Sequence, residues 1–170
     1  MIRFVTRTLA RLSPGSAAEP PPKLAVALEW PRAFWTVARL ARGGWAKGLP
    51  EGDGRPVLVL PGLFNSDRSN LALRHMLRKL GYCAYGWGLG RNFGVRTVGA
   101  ENERLIARIA EIRAETGEKV TLVGISLGGI MARLAAHRHP ELVREVITIS
   151  SPFAGPPKAT NVWRQFELLT

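Results

Sequence analysis

Three residues near the middle of the chain have the types and spacing of a reactive serine turn. Gly124, Ser126 and Gly128 form the pattern G-x-S-x-G. A serine in a sharp turn between a strand and a helix presents its hydroxyl for attack on a carbonyl carbon. Such a turn brings neighbouring backbones so close that side chains do not fit at the flanking positions. Ser126 is therefore the candidate nucleophile, and Gly124 and Gly128 are the candidate elbow glycines.

The segments on either side of Ser126 have the character that such a turn requires. KVTLVGI is an apolar run typical of a buried strand, and GGIMARLAAHRHP predicts a helix that Pro140 ends. The start of a helix leaves backbone N–H groups unpaired and carries a partial positive charge. The N–H of Leu127 is thus the first expected donor to an oxyanion formed at Ser126.

A second oxyanion donor is expected from the loop PGLFNSD, which follows an earlier apolar run. Gly62 allows the backbone to turn inward, so the N–H of either Leu63 or Phe64 would face the same oxyanion. Pro61 and Gly62 are also common together in an ordinary type II turn. The residues alone leave the choice between Leu63 and Phe64 open.

From residue 55 onward, strand-like and helix-like runs alternate. Strands are predicted at 56–60, 82–89, 119–125 and 143–150, and helices between them at 71–81, 100–117 and 128–140. This alternation predicts an α/β fold, a mostly parallel sheet with helices on both faces. The reactive loops of such a sheet lie at the carboxyl ends of its strands, which is where both candidate loops fall.

Three segments together resemble the α/β-hydrolase superfamily, in particular bacterial lipase-like, esterase-like and inositol-deacylase-like serine hydrolases. They are VLVLPGLFNS, GWGLGRNFG and VTLVGISLGGIMARLAA, and the resemblance extends over residues 55–155. It implies hydrolysis of acyl or lipid esters through an acyl-serine intermediate, with no cofactor and no metal. It carries over Ser126 as nucleophile, the Leu127 N–H as one oxyanion donor and the Leu63 N–H as the second.

The acid and the histidine of the family's triad normally follow the serine along the chain. Both aspartates here lie upstream of Ser126, and the three histidines are His75, His137 and His139. The last two fall at the far end of the predicted helix, about 18 Å from the serine for 12 residues at 1.5 Å each. We therefore expect a partial α/β-hydrolase fold without its carboxyl-terminal strands, inactive or weakly active alone. The alternative is a non-catalytic acyl-binding or peripheral membrane-associated protein.

Four regions are expected along the chain. They are a basic flexible tail (1–22), a Trp-rich helical segment and linker (23–54), the hydrolase core (55–156) and the start of a truncated lid or helix (157–170). Basic and apolar residues alternate with helical spacing near the amino terminus, so residues 1–45 are a candidate peripheral membrane contact. The strand near 143–149 is expected to leave an exposed sheet edge that favours self-association.

Composition narrows the classes of protein further. Of the 170 residues, 46% are hydrophobic and 22% are charged, as expected for a globular domain. The net charge of +11 is spread along the chain without a basic stripe, so we do not expect nucleic-acid binding. No run is long enough to span a membrane and no secretory signal is evident, which favours a cytoplasmic location. The single cysteine, Cys83, excludes an internal disulfide and is predicted to be a buried strand residue.

Overall fold

A computed structural model of the 170-residue chain describes Trp35 and residues 48–151. The chain divides into two compact units, Met1–Trp45 and Ala46–Thr170. In the first unit, Trp35 lies in a helix and is exposed. The tail expected at 1–22, the lid or helix expected at 157–170 and most of the Trp-rich segment lie outside the described residues.

The second unit contains a four-stranded parallel sheet with the strand order β2-β1-β3-β4. Its elements are β1 (Pro56–Leu60), a 3-10 turn (Asp67–Asn70), α1 (Leu71–Lys79), β2 (Cys83–Gly86), α2 (Val95–Val98), α3 (Glu103–Thr116), β3 (Val120–Ile125), α4 (Leu127–Arg138) and β4 (Val143–Ile149). The predicted alternation of strands and helices is confirmed. The 3-10 turn and α2, each of four residues, were not predicted, because one turn is too short to show periodicity.

Helices cover both faces of the sheet, as predicted. On one face, β1 and β3 side chains such as Leu58 and Leu122 pack with buried residues of α3 and α4, including Ile109 and Met131. On the other face, three valines of β1 and β3 pack with partly buried residues of α1; the cluster is Val57, Val59, Val123, Leu73 and Leu77. Alternating side chains of fully buried strands therefore supply both cores.

Strand β2 ends at Gly86, three residues before its predicted end at Leu89. The carboxylate of Asp67 accepts hydrogen bonds from the backbone N–H groups of Trp87 (2.9 Å) and Gly88 (3.0 Å). Gly88 also has a φ of 74°, which is incompatible with an extended strand. The chain therefore leaves the sheet where the Asp67 side chain, from the 3-10 turn, accepts the hydrogen bonds that a neighbouring strand would otherwise accept.

One expectation about burial is wrong. Cys83, expected to be buried, does lie in a strand but is exposed. It begins the outer strand β2, and its neighbour Ala84 is the buried one, as the alternation of side chains along a strand requires.

Strand β4 lies at the other outer position of the sheet and, among the described residues, pairs only with β3. Two of its apolar side chains, Ile147 and Ile149, are 44% and 40% exposed. An apolar strand with a free edge is a surface on which another strand can pair. The self-association expected from the sequence stays a prediction.

Candidate active site

Ser126 lies between the end of β3 and the start of α4, with φ 51° and ψ −117°. A non-glycine residue in this backbone region is strained, and such residues concentrate at functional sites. The Ser126 N–H donates to the Ile149 carbonyl (2.9 Å), and the Ser126 carbonyl accepts from the Gly129 N–H (3.0 Å). Sheet and helix thus hold both sides of the strained residue. We call residues 124–129 the elbow.

The glycines of the elbow lie where a side chain would collide with neighbouring backbone. A Cβ at Gly128 would lie 2.5 Å from the Leu60 carbonyl oxygen and 2.8 Å from that of Pro61. A Cβ at Gly124 would collide with the backbone of Gly128 and Gly129. The close approach inferred from the G-x-S-x-G pattern is therefore present in the geometry.

The loop after β1, residues 61–65, lies against the elbow; we call it the β1 loop. A Cβ placed on Gly62 would lie 3.4 Å from the Ser126 Cβ. The Phe64 N–H donates to the Asn92 carbonyl (2.7 Å), and the Asn65 N–H donates to the Gly62 carbonyl (3.1 Å). Within residues 48–151 the Leu63 N–H donates no hydrogen bond. Of the two N–H groups that the sequence left open, only that of Leu63 is thus available to an oxyanion.

The amino-terminal end of α4 gives Ser126 an electropositive neighbour. Leu127 is the first residue of the helix, and the first N–H groups of any helix have no partner within it. The helix dipole adds a partial positive charge at the same end. Ser126, Leu127 and the Leu63-containing loop are therefore assembled from two βα junctions that are neighbours in the sheet.

An exposed aromatic pair lies beside the candidate donor. Phe64 follows Leu63 directly and has a φ of 62°, and its ring packs edge to face on Phe93 with centroids 6.1 Å apart. Both rings are partly exposed, at 43% and 39%. Large apolar side chains in contact on a surface present area that favours an apolar ligand.

The two aspartates have structural partners. The Asp67 carboxylate holds the segment after β2 through the N–H groups of Trp87 and Gly88. Asp53 forms an ion pair with Arg55, at 2.8 Å between Oδ2 and Nε. Neither role connects them with Ser126, in agreement with the sequence, which placed both outside the expected position of a triad acid.

The histidines at the end of α4 lie far from the serine along the helix. His137 is in the last turn of α4, and His139 Nδ1 lies 3.1 Å from the Glu141 carboxylate. A hydrogen bond from its own backbone N–H and a second from His139 hold the pKa of Glu141 below its ordinary value. No hydrogen bond joins the Ser126 hydroxyl to a histidine in the part of the chain that is described. The described residues also contain no cluster of three or more His, Cys, Asp or Glu side chains suited to a metal ion.

One contributor to the site was missed by sequence reasoning. Asn92 is fully buried and donates from Nδ2 to the Pro61 carbonyl (2.8 Å), so it holds the β1 loop. It lies in GWGLGRNFG, one of the segments that carry the family resemblance, but no spacing rule connects it with the serine. Its importance is visible only in its hydrogen-bond partners.

Comparisons with known proteins agree with this architecture. The model of the α/β hydrolase fold family matches residues 96–168. The structure is similar to that of a mature lipase from Bacillus licheniformis, with 30% identity and a TM-score of 0.50 over 62% of this chain and 44% of the lipase. These matches confirm the resemblance to the α/β-hydrolase superfamily, and the chain contains a partial α/β-hydrolase fold, as predicted.

Two further solved structures are similar at lower identity. A membrane phospholipase A described as a bacterial virulence factor is 21% identical, with a TM-score of 0.47 over 85% of this chain and 55% of that one. A mutant of polyneuridine aldehyde esterase is 20% identical, with a TM-score of 0.43 over 60% of this chain and 42% of that one. The chain thus spans about half the length, or less, of these proteins. No curated protein sequence matches it significantly. Among the described residues, no helix is long and apolar enough to cross a membrane.

Proposed function

We propose that the protein is a serine hydrolase of carboxylic esters, acting on acyl or lipid substrates through an acyl-serine intermediate. The observation that carries this proposal is the strained backbone of Ser126 at the start of α4, in contact with the β1 loop. The two segments that meet there also supply two backbone N–H groups, those of Leu127 and Leu63, as donors to an oxyanion on Ser126. Acyl transfer needs such donors, whereas a packing role for a serine does not.

The reaction follows from this geometry. The Ser126 Oγ gives its proton to a base and bonds to the ester carbonyl carbon, whose oxygen becomes negatively charged. The Leu127 and Leu63 N–H groups donate to that oxygen, and α4 adds the positive end of its dipole. The alcohol then leaves with a proton, and water releases the acid from the acyl-serine. Each backbone donor of this kind contributes about 10²-fold to 10³-fold in rate.

The apolar substrate class has two supports. The exposed pair Phe64 and Phe93 offers aromatic surface to an acyl chain directly beside Leu63. The similar solved structure at 30% identity is a lipase. We infer that the acyl group, more than the alcohol, is the part of the substrate that these rings contact.

The absence of a base beside Ser126 within residues 48–151 favours one alternative, a non-catalytic protein that binds acyl groups in the same place. Without a base to take the serine proton, turnover is expected to be negligible. The peripheral membrane contact expected at 1–45 falls almost wholly outside the described residues. That contact and the cytoplasmic location stay predictions.

An alkyl boronic acid separates the two functions without needing a base on the protein. Boron accepts the Ser126 oxygen, releases the serine proton to the buffer and becomes tetrahedral and anionic, like the proposed intermediate. With octylboronic acid and the 170-residue protein, we expect a tetrahedral ¹¹B NMR signal. Ser126→Ala should abolish it. The matched control, Ser69→Ala, removes a hydroxyl on the 3-10 turn and should leave the signal intact.

Two results would count against a hydrolase. Binding of the boronic acid with boron remaining trigonal would support the acyl-binding alternative. A tetrahedral signal that persists in Ser126→Ala would show that another group attacks boron, so Ser126 would not be the nucleophile.

A further inference from the structure

Asn92 connects the β1 loop with a segment about 30 residues further along the chain. Its Nδ2 donates to the Pro61 carbonyl (2.8 Å). Its backbone carbonyl accepts from the Phe64 N–H (2.7 Å), and its backbone N–H donates to the Asn65 carbonyl (2.8 Å). These three hydrogen bonds hold the β1 loop on both sides of Leu63.

The asparagine is itself fixed in place. Its side chain is fully buried, and its Oδ1 accepts from the Gly94 N–H (2.9 Å). Its Nδ2 also lies 3.8 Å from the sulfur of Met131, in the helix that Ser126 begins. The next residues are held by Thr97, whose hydroxyl accepts from the Phe93 N–H (2.9 Å). A buried amide with its donor and acceptor both satisfied is a rigid support.

The support matters because the β1 loop has no regular structure of its own. Leu63 lies between Pro61, held by the Asn92 side chain, and Phe64, held by the Asn92 backbone. Phe64 has a positive φ, and such a conformation persists only where its surroundings impose it. The direction of the Leu63 N–H therefore depends on the contacts of Asn92.

We propose that Asn92 is the positioning residue that aims the Leu63 N–H at the oxyanion formed on Ser126. The inference rests on the proposed hydrolase function and adds to it a residue that does not touch the substrate. A misplacement of about 1 Å at a reacting centre can cost about 10²-fold in rate. The side-chain bond to Pro61 is the part of this support that a substitution can remove, since the backbone bonds do not depend on residue type.

Asn92→Asp makes the smallest change that tests this role. It keeps the size of the side chain and an oxygen for the Gly94 N–H, but it places an oxygen instead of an amide nitrogen beside the Pro61 carbonyl. When ionised, the new carboxyl cannot donate and repels that carbonyl; when protonated, it can donate and restore the bond. Burial raises the pKa of a carboxyl, so both forms should be reachable at moderate pH.

The readout is the affinity of octylboronic acid for Ser126, measured by the tetrahedral ¹¹B signal relative to wild type at each pH. At about pH 8 we expect the Asn92→Asp protein to bind at least about tenfold more weakly. At about pH 5 the ratio to wild type should return toward one. A merely destabilised fold would not regain a normal adduct through protonation of one carboxyl, and circular dichroism will establish the folded fraction at both pH values.

The chain offers a matched control in Asn70→Asp. Asn70 is also buried, on the 3-10 turn, but among the described residues its Nδ2 donates no hydrogen bond, to the β1 loop or elsewhere. The same chemical change there should leave adduct affinity within about twofold of wild type. A pH-dependent loss of similar size in Asn70→Asp would show a general effect of a buried carboxyl and would overturn the assignment to Asn92.

The experiment distinguishes a failure of this inference from a failure of the proposed function. A folded Asn92→Asp protein with wild-type affinity at both pH values overturns the role of Asn92 and leaves the hydrolase proposal standing. Wild-type protein that forms no Ser126-dependent adduct overturns both. If Asn92→Asp does not fold, Asn92→Ser removes the amide without adding a charge. It should weaken the adduct to a similar degree at both pH values, and unchanged affinity would refute the proposal.

Discussion

The elbow and the β1 loop meet at Ser126 but are held in place by different means. The elbow is held mainly by backbone, through the hydrogen bond from Ser126 to Ile149 and through contacts that admit no side chain at Gly124 or Gly128. The β1 loop is held by hydrogen bonds from the side chain and the backbone of one residue in another part of the chain, Asn92. One half of the proposed oxyanion site is therefore set by close packing, and the other half by hydrogen bonds.

Because of this difference, substitutions in the two regions should have different effects, on stability for the elbow and on the geometry of the site for the β1 loop. Close backbone packing cannot relax without moving β1 or α4, so errors in the elbow should cost stability. The β1 loop can shift while the sheet remains intact, so errors there should cost oxyanion binding first.

The largest effect on stability is expected for Gly128→Ala. The added Cβ would lie 2.5 Å from the Leu60 carbonyl oxygen and 2.8 Å from that of Pro61. Backbone on both sides cannot yield, so we expect a loss of about 3 kcal/mol in the free energy of unfolding, measured with urea.

The β1 loop supplies the matched control for this change, Gly62→Ala. Its added Cβ would lie 3.4 Å from the nearest atoms, so the loss should be below about 1 kcal/mol. Equal losses for Gly128→Ala and Gly62→Ala would contradict the distinction between a packed elbow and an adjustable loop.

A smaller effect is expected for Ser151→Ala, just beyond β4. The Ser151 hydroxyl donates to the Ser126 carbonyl (2.8 Å), and it occupies the space where a side chain on Gly129 would lie. Loss of one such hydrogen bond should cost about 1 kcal/mol of unfolding free energy. Because other backbone bonds still hold Ser126, boronate affinity should fall less than in Asn92→Asp. A greater fall than in Asn92→Asp would show that a side chain also controls the elbow.

Features that depend on local sequence could be predicted, whereas features that depend on hydrogen bonds between distant residues could not. The bounds of β1 and the position of Ser126 between β3 and α4 were predicted correctly, because apolar runs and glycine spacing are local causes. The end of β2 was not, since it depends on the carboxylate of Asp67, about 20 residues earlier.

The donors of the proposed site show the same contrast. Leu127 follows from its place at the start of a helix. The choice between Leu63 and Phe64 required the Asn92 carbonyl, which uses the Phe64 N–H. Long-range hydrogen bonds from buried side chains leave no periodic pattern, so only the folded chain reveals them.

The most direct test of the account is to observe the oxyanion donors themselves. With ¹⁵N-labelled protein, formation of the octylboronic acid adduct should move the amide protons of Leu63 and Leu127 downfield, because both would donate to the boronate oxygen. The Phe64 amide proton, which already donates to Asn92, should move little. A downfield shift at Phe64 with none at Leu63, or an adduct that leaves both candidate donors unchanged, would contradict the oxyanion site proposed for this chain.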